Sequence, residues 1–400
     1  MSKRKRVVVG LSGGVDSSVT AYLMVKQGYE VIGLFMRNWN DESVTINNEC
    51  PWIDDSNDAL IVANQLGIPF QVIDLSAVYK ERIVDYMFEE YQKGRTPNPD
   101  VLCNREIKFD IFLQTAKSLG ADFVATGHYC RKEEIEISGE KIYRLLSGKD
   151  KNKDQSYFLC QLTQEQLQYA LFPIGSLQKS EVRAIATEAG LTTAQKKDSQ
   201  GLCFVGKVKL PEFLKQQLTP QIGNVIEIPT NLSVFKTHAY QYDQMRQDQL
   251  AELAQGYAYS KNDGRVIGQH QGAQFYTIGQ RKGLRIGGYD EPILVIGLDT
   301  RENVVYVGKG ESHPGLNRPA LFIPENDIHW IRPDLSLEIG TQQTYSVRIR
   351  YRQPLEEACL YRRKDGLYIV FKNLQRGIAP GQFATWYHEE ELVGSGVIAV

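Results

Sequence analysis

Gly10-Leu11-Ser12-Gly13-Gly14-Val15-Asp16-Ser17-Ser18 follows directly on the apolar run Val7-Val8-Val9. A buried strand that feeds a glycine-rich turn, and then hydroxyl residues opening a helix, offers unpaired backbone N–H groups to an anion. The pattern predicts a phosphate cradle. A Walker A loop would end in Gly-Lys-Ser/Thr, and a Rossmann turn would read G-x-G-x-x-G. This loop has neither; in place of a lysine it carries Asp16 among the hydroxyls of Ser12, Ser17 and Ser18. The plainer alternative is a serine-capped strand-to-helix turn with no ligand.

Two further segments hold groups suited to chemistry. Thr96-Pro97-Asn98-Pro99-Asp100-Val101-Leu102-Cys103-Asn104 runs from a proline-stiffened loop into a helix, which predicts Cys103 at a helix start where the dipole favours a thiolate. Asp198-Ser199-Gln200-Gly201-Leu202-Cys203-Phe204 sets a second cysteine just after a polar turn. Each has a structural alternative: Asp100 as an N-cap, and the cysteines as small buried hydrophobes. The cysteines at 50, 103, 130, 160, 203 and 359 form no C-x-x-C pair, and the six histidines are scattered. No metal site is expected, and the thiols are expected reduced.

The elements that must position these groups alternate. Strand patterns run from Val7 to Leu11, Glu30 to Met36, Ile68 to Leu75 and Asp122 to Ala125. Helix patterns run from Ser17 to Gln27, Asp55 to Leu66, Val78 to Gln92 and Asn104 to Leu119. This is an α/β fold with a doubly wound parallel sheet. Ligands bind such sheets beyond the carboxyl ends of the strands, which selects the loop after Val9, Met36, and Thr126-Gly127-His128. From about Pro211 the pattern changes. Thr230 to Gly264 is polar and rich in Gln and Tyr, with a helix expected from Tyr242 to Leu253, and reads as an insertion. Short alternating runs between glycine and proline turns then predict a C-terminal β-barrel. The expected domains are 1–209, a small central domain at 210–312 with the insertion at 230–264, and 313–400. Strand alternation sets Arg348, Arg350 and Arg352 on one face as a basic stripe.

With 400 residues, 42% hydrophobic and 24% charged, the chain has the composition of a multidomain globular protein. A formal charge of −2 gives no global basic signal, so nucleic-acid contact would need local patches. The apolar run behind the basic start is too short for a signal-peptide core, and no span suits a membrane helix. A cytoplasmic, membrane-free monomer is expected.

The loop resembles the S-G-G-x-D-S signature of the PP-loop ATP pyrophosphatases, which cleave ATP between the α and β phosphates. Over nearly the whole chain the sequence is similar to the bacterial tRNA-specific 2-thiouridylases of that superfamily. The resemblance is carried by Gly10 to Ser18, Leu34-Phe35-Met36, Asn98 to Asn104, Ala125 to Tyr129, Lys153 to Tyr157, Asp198 to Phe204, Gly279 to Leu284, Arg350-Tyr351-Arg352 and Pro380-Gly381-Gln382. It implies ATP as co-substrate, held by Gly10, Leu11, Ser12, Gly13, Gly14, Val15, Asp16, Ser17, Met36 and Gly127, with Mg²⁺ offsetting phosphate charge. It implies adenylation of the C2 oxygen of the wobble uridine, then sulfur transfer from a persulfide on Cys203. Cys103 would resolve that persulfide, by freeing sulfide or by forming a disulfide, and Asp100 would be an acid/base residue. Asn98, Pro99, Asp100, Lys153, Asp154, Gln155, Arg350 and Tyr351 would meet the tRNA anticodon stem-loop. A cysteine desulfurase or persulfide relay protein would supply sulfur. The alternative, a PP-loop amide- or C–N-forming ligase, shares Ser12 to Ser17 but has no use for the two cysteines.

Overall fold

The computed structural model describes residues 4–38, 51–198, 210–215, 217–235 and 240–399. Cys203 and its flanking turn from Ser199 lie outside these. The chain opens with β1 (Arg6–Gly10), α1 (Val15–Lys26), β2 (Glu30–Arg37), α2 (Pro51–Leu66) and β3 (Phe70–Asp74). Helical stretches Ser76–Tyr79, Lys80–Asp85 and Tyr86–Gln92 follow, then a second series from Pro99 to Ser118. After β4 (Phe123–Ala125), a hairpin of β5 (Cys130–Ile137) and β6 (Glu140–Ser147) precedes β7 (Ala170–Leu171). The parallel sheet has the order β3-β2-β1-β4-β7. Val7, Val8 and Val9 are wholly buried at its centre, which is why β1 reads as a continuous apolar run rather than an alternating one. The chain moves outward from β1 to β3 and returns on the other side as β4, so the direction switches between β1 and β4, the position where such sheets take ligands.

A central antiparallel and parallel sheet follows, built from β8 (Gly223–Glu227), β9 (Arg265–His270), β10 (Ile293–Asp299) and β11 (Val304–Lys309) in the order β10-β11-β8-β9. The C-terminal part comprises β12 (Asn317–Pro324), β13 (Ile328–Trp330), β14 (Gln342–Arg348), β15 (Glu356–Arg363), β16 (Gly366–Arg376), β17 (Phe383–His388) and β18 (Glu391–Val397). These strands wrap around a barrel core of Leu321, Val347, Leu360, Ile369, Phe371, Trp386 and Val393.

Three features depart from the sequence expectations. First, the β5–β6 hairpin leaves the parallel sheet and adds to the barrel sheet, Glu391 and Leu392 of β18 pairing with Leu146 and Leu145 of β6. Second, the described part of the insertion packs against the barrel. Its helix is shorter than expected, Gln247–Ala254, and Met245, Leu250 and Ala254 cover Ala320, Tyr361, Tyr368 and Val370. Third, the arginine stripe does not form, because β14 ends at Arg348 and the chain then bends. Arg348 turns inward to Asp154, 194 positions away, at 2.8 Å.

That pair differs in kind from the surface ion pairs. Lys151 and Glu390, 61% and 52% exposed, gain at most about 1 kcal/mol. Arg348 and Asp154 are 9% and 4% exposed, and Asp154 also accepts from the Gly148 and Ser156 N–H groups. Removing one partner strands a buried charge. Arg348→Met is therefore expected to destabilise the fold by about 3 kcal/mol in chemical denaturation, whereas Lys151→Met should shift it by under about 1 kcal/mol.

Candidate functional site

The loop between β1 and α1 lies at the carboxyl end of the central strand. Leu11 N–H donates to the Leu34 carbonyl at 2.8 Å, which ties the loop to the end of β2. Ser17 Oγ accepts from Ser12 N–H at 3.1 Å and donates to the Gly14 carbonyl at 3.0 Å; Ser18 Oγ donates to the same carbonyl at 2.8 Å. The serines thus shape the loop. Gly14 caps α1 with no side-chain hydrogen bond, so the first-turn N–H groups are left for an anion. Gly13 has φ +74°, and a Cβ there would collide with the Asp55 carbonyl. Gly10 and Gly14 have no such constraint: a Cβ would meet nothing nearer than 3.6 Å at either. At those two positions internal packing does not demand glycine.

Met36 and Gly127 frame the loop. Met36 is buried, with its methyl beside Gly10. Gly127 follows β4 and packs on the first turn of α1, where a Cβ would lie 2.9 Å from the Asp16 carbonyl carbon and 3.0 Å from Ser17 N. Next to it, His128 Nδ1 is 2.8 Å from Thr126 Oγ1. Burial, reinforced by Lys108, holds this imidazole well below its ordinary pKa and keeps it neutral.

Asp16, in the first turn of α1, is not a free carboxylate. It accepts from Tyr129 Oη at 2.7 Å and from Lys179 Nζ at 2.7 and 2.8 Å. Lys179 also bridges to Asp198 at 2.8 Å, and Asp198 pairs with Lys153 at 2.7 Å and Arg183 at 3.1 Å. The Lys179 side chain is only 14% exposed, and its ammonium offsets the Asp16 carboxylate, which would otherwise repel an anion at the cradle. Partial burial works against ionisation of Asp198, but hydrogen bonds from Lys153 and Lys179 outweigh it and hold its pKa at about 2. Burial and the adjacent Asp16 both push the Tyr129 phenol upward, so it stays a donor. Neither Lys179 nor this role of Tyr129 is legible in the sequence: 163 positions separate Lys179 from Asp16, and no local spacing links them.

The Asn98 segment begins a helix five residues earlier than expected. Asn98 is the N-cap, its Oδ1 accepting from Val101 N–H at 3.3 Å, and Pro99 occupies the first turn. Cys103 therefore sits in the second turn, beyond the strongest part of the dipole field, and is fully buried. It opens a nine-residue π-helical stretch, Cys103–Ile111, a geometry frequent at functional sites. Asp100 is partly exposed in the first turn. A helix that feeds a parallel strand runs antiparallel to it, so Asn98 to Cys103 lie towards the same carboxyl edge of the sheet as the glycine-rich loop.

The other expected contact residues have internal partners. Gln155 pairs with Tyr129 through both backbone and side chain, at 2.9 and 3.0 Å, and Asp154 is the buried partner of Arg348. Arg350 donates to the carbonyls of Ile278, at 2.9 Å, and Gly377, at 2.6 Å. Tyr351 rests on Phe158 with ring centroids 4.3 Å apart. Among the described residues no cluster of three His, Cys, Asp or Glu could hold a metal, and no helix is long and apolar enough to cross a membrane.

Three family models match the chain in order: a tRNA methyl transferase HUP domain over residues 5–207, a tRNA methyl transferase PRC-barrel domain over 247–309, and an aminomethyltransferase beta-barrel domain over 323–398. The tRNA-specific 2-thiouridylase MnmA of Christiangramia forsetii is 60% identical over 395 residues, covering 99% of this chain and 100% of that protein. The chain belongs to the tRNA-specific 2-thiouridylases. The member of this family from Streptococcus agalactiae serotype III is 44% identical over 397 residues, with 98% and 95% covered. Among solved structures the similarity is low: a 4-thiouridine synthetase–RNA complex with bound ATP is 18% identical, covers 53% of this chain and 50% of its own, and has a TM-score of 0.33.

The depressed pKa of Asp198 has a measurable consequence. A carboxylate whose folded pKa lies below its unfolded value stabilises the fold above the unfolded value, about 4, and that contribution is lost as pH falls through the folded value. Asp198→Asn is expected to flatten the fall in stability from about pH 4 to pH 2, read as thermal midpoints across that range. An acid profile identical to wild type would contradict the ion-pair assignment.

Proposed function

We propose that this protein forms 2-thiouridine at the wobble position of tRNA by ATP-dependent adenylation followed by sulfur transfer from a cysteine persulfide. What supports the reading is topology: the glycine-rich turn follows β1 and the helix series bearing Asp100 and Cys103 feeds β4, so both belong to the carboxyl side of the parallel sheet. That sheet belongs to a chain matched over its full length by thiouridylases.

In this scheme the uracil C2 oxygen attacks the α-phosphorus of ATP, the bond to the bridging oxygen breaks, and pyrophosphate leaves against the N–H groups of Gly13 to Ser17. Lys179 keeps Asp16 neutralised while that charge develops. Mg²⁺, when bound with ATP, would supply charge neutralisation at the phosphates; Asp16, the acidic residue of the loop, is committed to Lys179 and Tyr129. Asp100, at the mouth of the site, is suited to moving a proton at the base. The terminal sulfur of a Cys203 persulfide then bonds to C2, and AMP departs with the original oxygen. Attack of the Cys103 thiolate on the Cys203 sulfur expels the thiolated base and leaves a Cys103–Cys203 disulfide, which an external thiol must reduce. In the variant order, Cys103 frees sulfide before the attack on C2. Either way, the electron pair that takes persulfide sulfur to the sulfide level comes from Cys103. The sulfur itself comes from a cysteine desulfurase or persulfide relay protein. A base undergoing this chemistry has to leave its stack, and the partly exposed Asn98, Pro99 and Asp100 are the residues suited to receive it.

A PP-loop ligase would need neither thiol, and this difference supplies the test. tRNA is incubated with ATP and a persulfide donor, and its nucleosides are analysed by mass spectrometry. Wild type should yield 2-thiouridine. Cys203→Ser and Cys103→Ser should each lower the yield at least about 100-fold, as expected for loss of a covalent participant. Undiminished product from either variant would sink the sulfur-transfer reading.

A further inference from the structure

Of the loop residues Lys153, Asp154 and Gln155, two are turned to internal partners. Asp154 is the buried partner of Arg348, and Gln155 is committed to Tyr129. Lys153 is the one of the three that keeps a charge at the surface, with 38% of its side chain exposed. That charge is already taken. Lys153 Nζ donates to Asp198 Oδ2 at 2.7 Å. The other carboxylate oxygen, Oδ1, accepts from Lys179 Nζ at 2.8 Å and from Arg183 Nη2 at 3.1 Å. Arg183 is fixed in turn by donating to the carbonyls of Ala194, at 2.8 Å, and Lys196, at 3.1 Å, and Lys179 is held by Asp16. One oxygen of Asp198 is thus pinned from within, and the second is left facing Lys153. Lysine and arginine converging on one oxyanion is also how such side chains hold a phosphate group.

We propose that Asp198 is a built-in competitor for the RNA: in the free protein its carboxylate occupies Lys153 in the place of a backbone phosphate, and the tRNA has to displace it to use that lysine. The inference rests on the reading of Lys153 as an RNA contact. In the exchange Lys153 leaves one oxyanion for another, while Asp198 keeps Lys179 and Arg183 and is not stranded as an unpaired charge. The pair that breaks is partly exposed on both sides, so its loss is small enough for a polyanion to overcome and large enough to measure. Backbone phosphates carry no sequence information, so the competitor weakens every RNA at this point by the same factor. An RNA that makes further contacts elsewhere on the protein stays bound in spite of it.

The test is the dissociation constant of the full-length protein for tRNA at about 0.1 M salt, where surface charges act over about 10 Å. Wild type is compared with Asp198→Asn, Lys153→Met and the double variant. Asp198→Asn keeps the shape, removes the charge and should tighten binding about three- to fivefold, the equivalent of a partly exposed ion pair. A damaged fold would weaken binding, so the expected direction cannot come from instability. Lys153→Met should weaken binding by about threefold or more, as for loss of one phosphate contact. On the Lys153→Met background, Asp198→Asn should change the affinity by less than about 1.5-fold, because the two residues act through one interaction. Unchanged or weaker binding by Asp198→Asn would overturn the proposal. A gain that persists in full without Lys153 would also overturn it, since that marks a general relief of negative charge. If Lys153→Met binds tRNA as well as wild type does, the reading of Lys153 as an RNA contact falls and the proposal falls with it. The thiolation reading is decided apart from these, by whether wild type makes 2-thiouridine.

Discussion

The structure turns on a seam in which three domains grip one short backbone segment, Thr96 to Asn98. The barrel supplies Pro380 and Gln382, and the central domain supplies Thr277. Arg350 locks those two domains together by donating to carbonyls of both, at Ile278 and Gly377. A loop of a parallel-sheet domain would ordinarily be among its more mobile parts. Here its backbone polar groups are paired on several sides, and the helix that leaves it starts from a defined cap. Domain arrangement and local helix geometry are therefore one constraint.

A second coupling runs through charge. Asp16 beside the glycine-rich loop, Lys179 on a later helix and Asp198 form a chain of carboxylate, ammonium and carboxylate, with Lys153 beyond. Tyr129 closes the circuit, reaching Asp16 through its hydroxyl and Gln155 through its backbone. The loop expected to meet RNA is therefore wired to the loop expected to meet ATP. Only Lys179, at its centre, is largely shielded from water, and the pairs around it hold the two loops in a fixed relation.

The parts of this architecture that were legible in the sequence are those set by local pattern. Val7 to Val9 followed by Gly10 to Ser18 specify a buried strand, a turn and a helix start within a dozen residues, and the switch-point rule then locates Met36 and Gly127. Pro99 misled the helix boundary because Asn-Pro-Asp reads equally as a loop and as cap, first and second helical positions. The arginine stripe failed because alternation holds only while the strand continues, and Arg348 finds its partner in Asp154 beyond the reach of any local rule. Lys179 was invisible for the same reason, since its partners Asp16 and Asp198 are fixed by tertiary packing. The hairpin from Cys130 to Ser147 joins the barrel sheet because its partner is β18, near the far end of the chain.

The central claim is that ATP activates the very oxygen that sulfur replaces. The most direct measurement follows that atom: tRNA carrying ¹⁸O at C2 of the wobble uridine is thiolated with unlabelled ATP, and the AMP released is weighed by mass spectrometry. If adenylation at the Gly10 to Ser17 loop precedes sulfur transfer, each AMP formed with a 2-thiouridine carries one ¹⁸O. Unlabelled AMP alongside 2-thiouridine would mean that ATP cleavage is not spent on the C2 oxygen, and the proposed union of cradle and cysteines would be wrong.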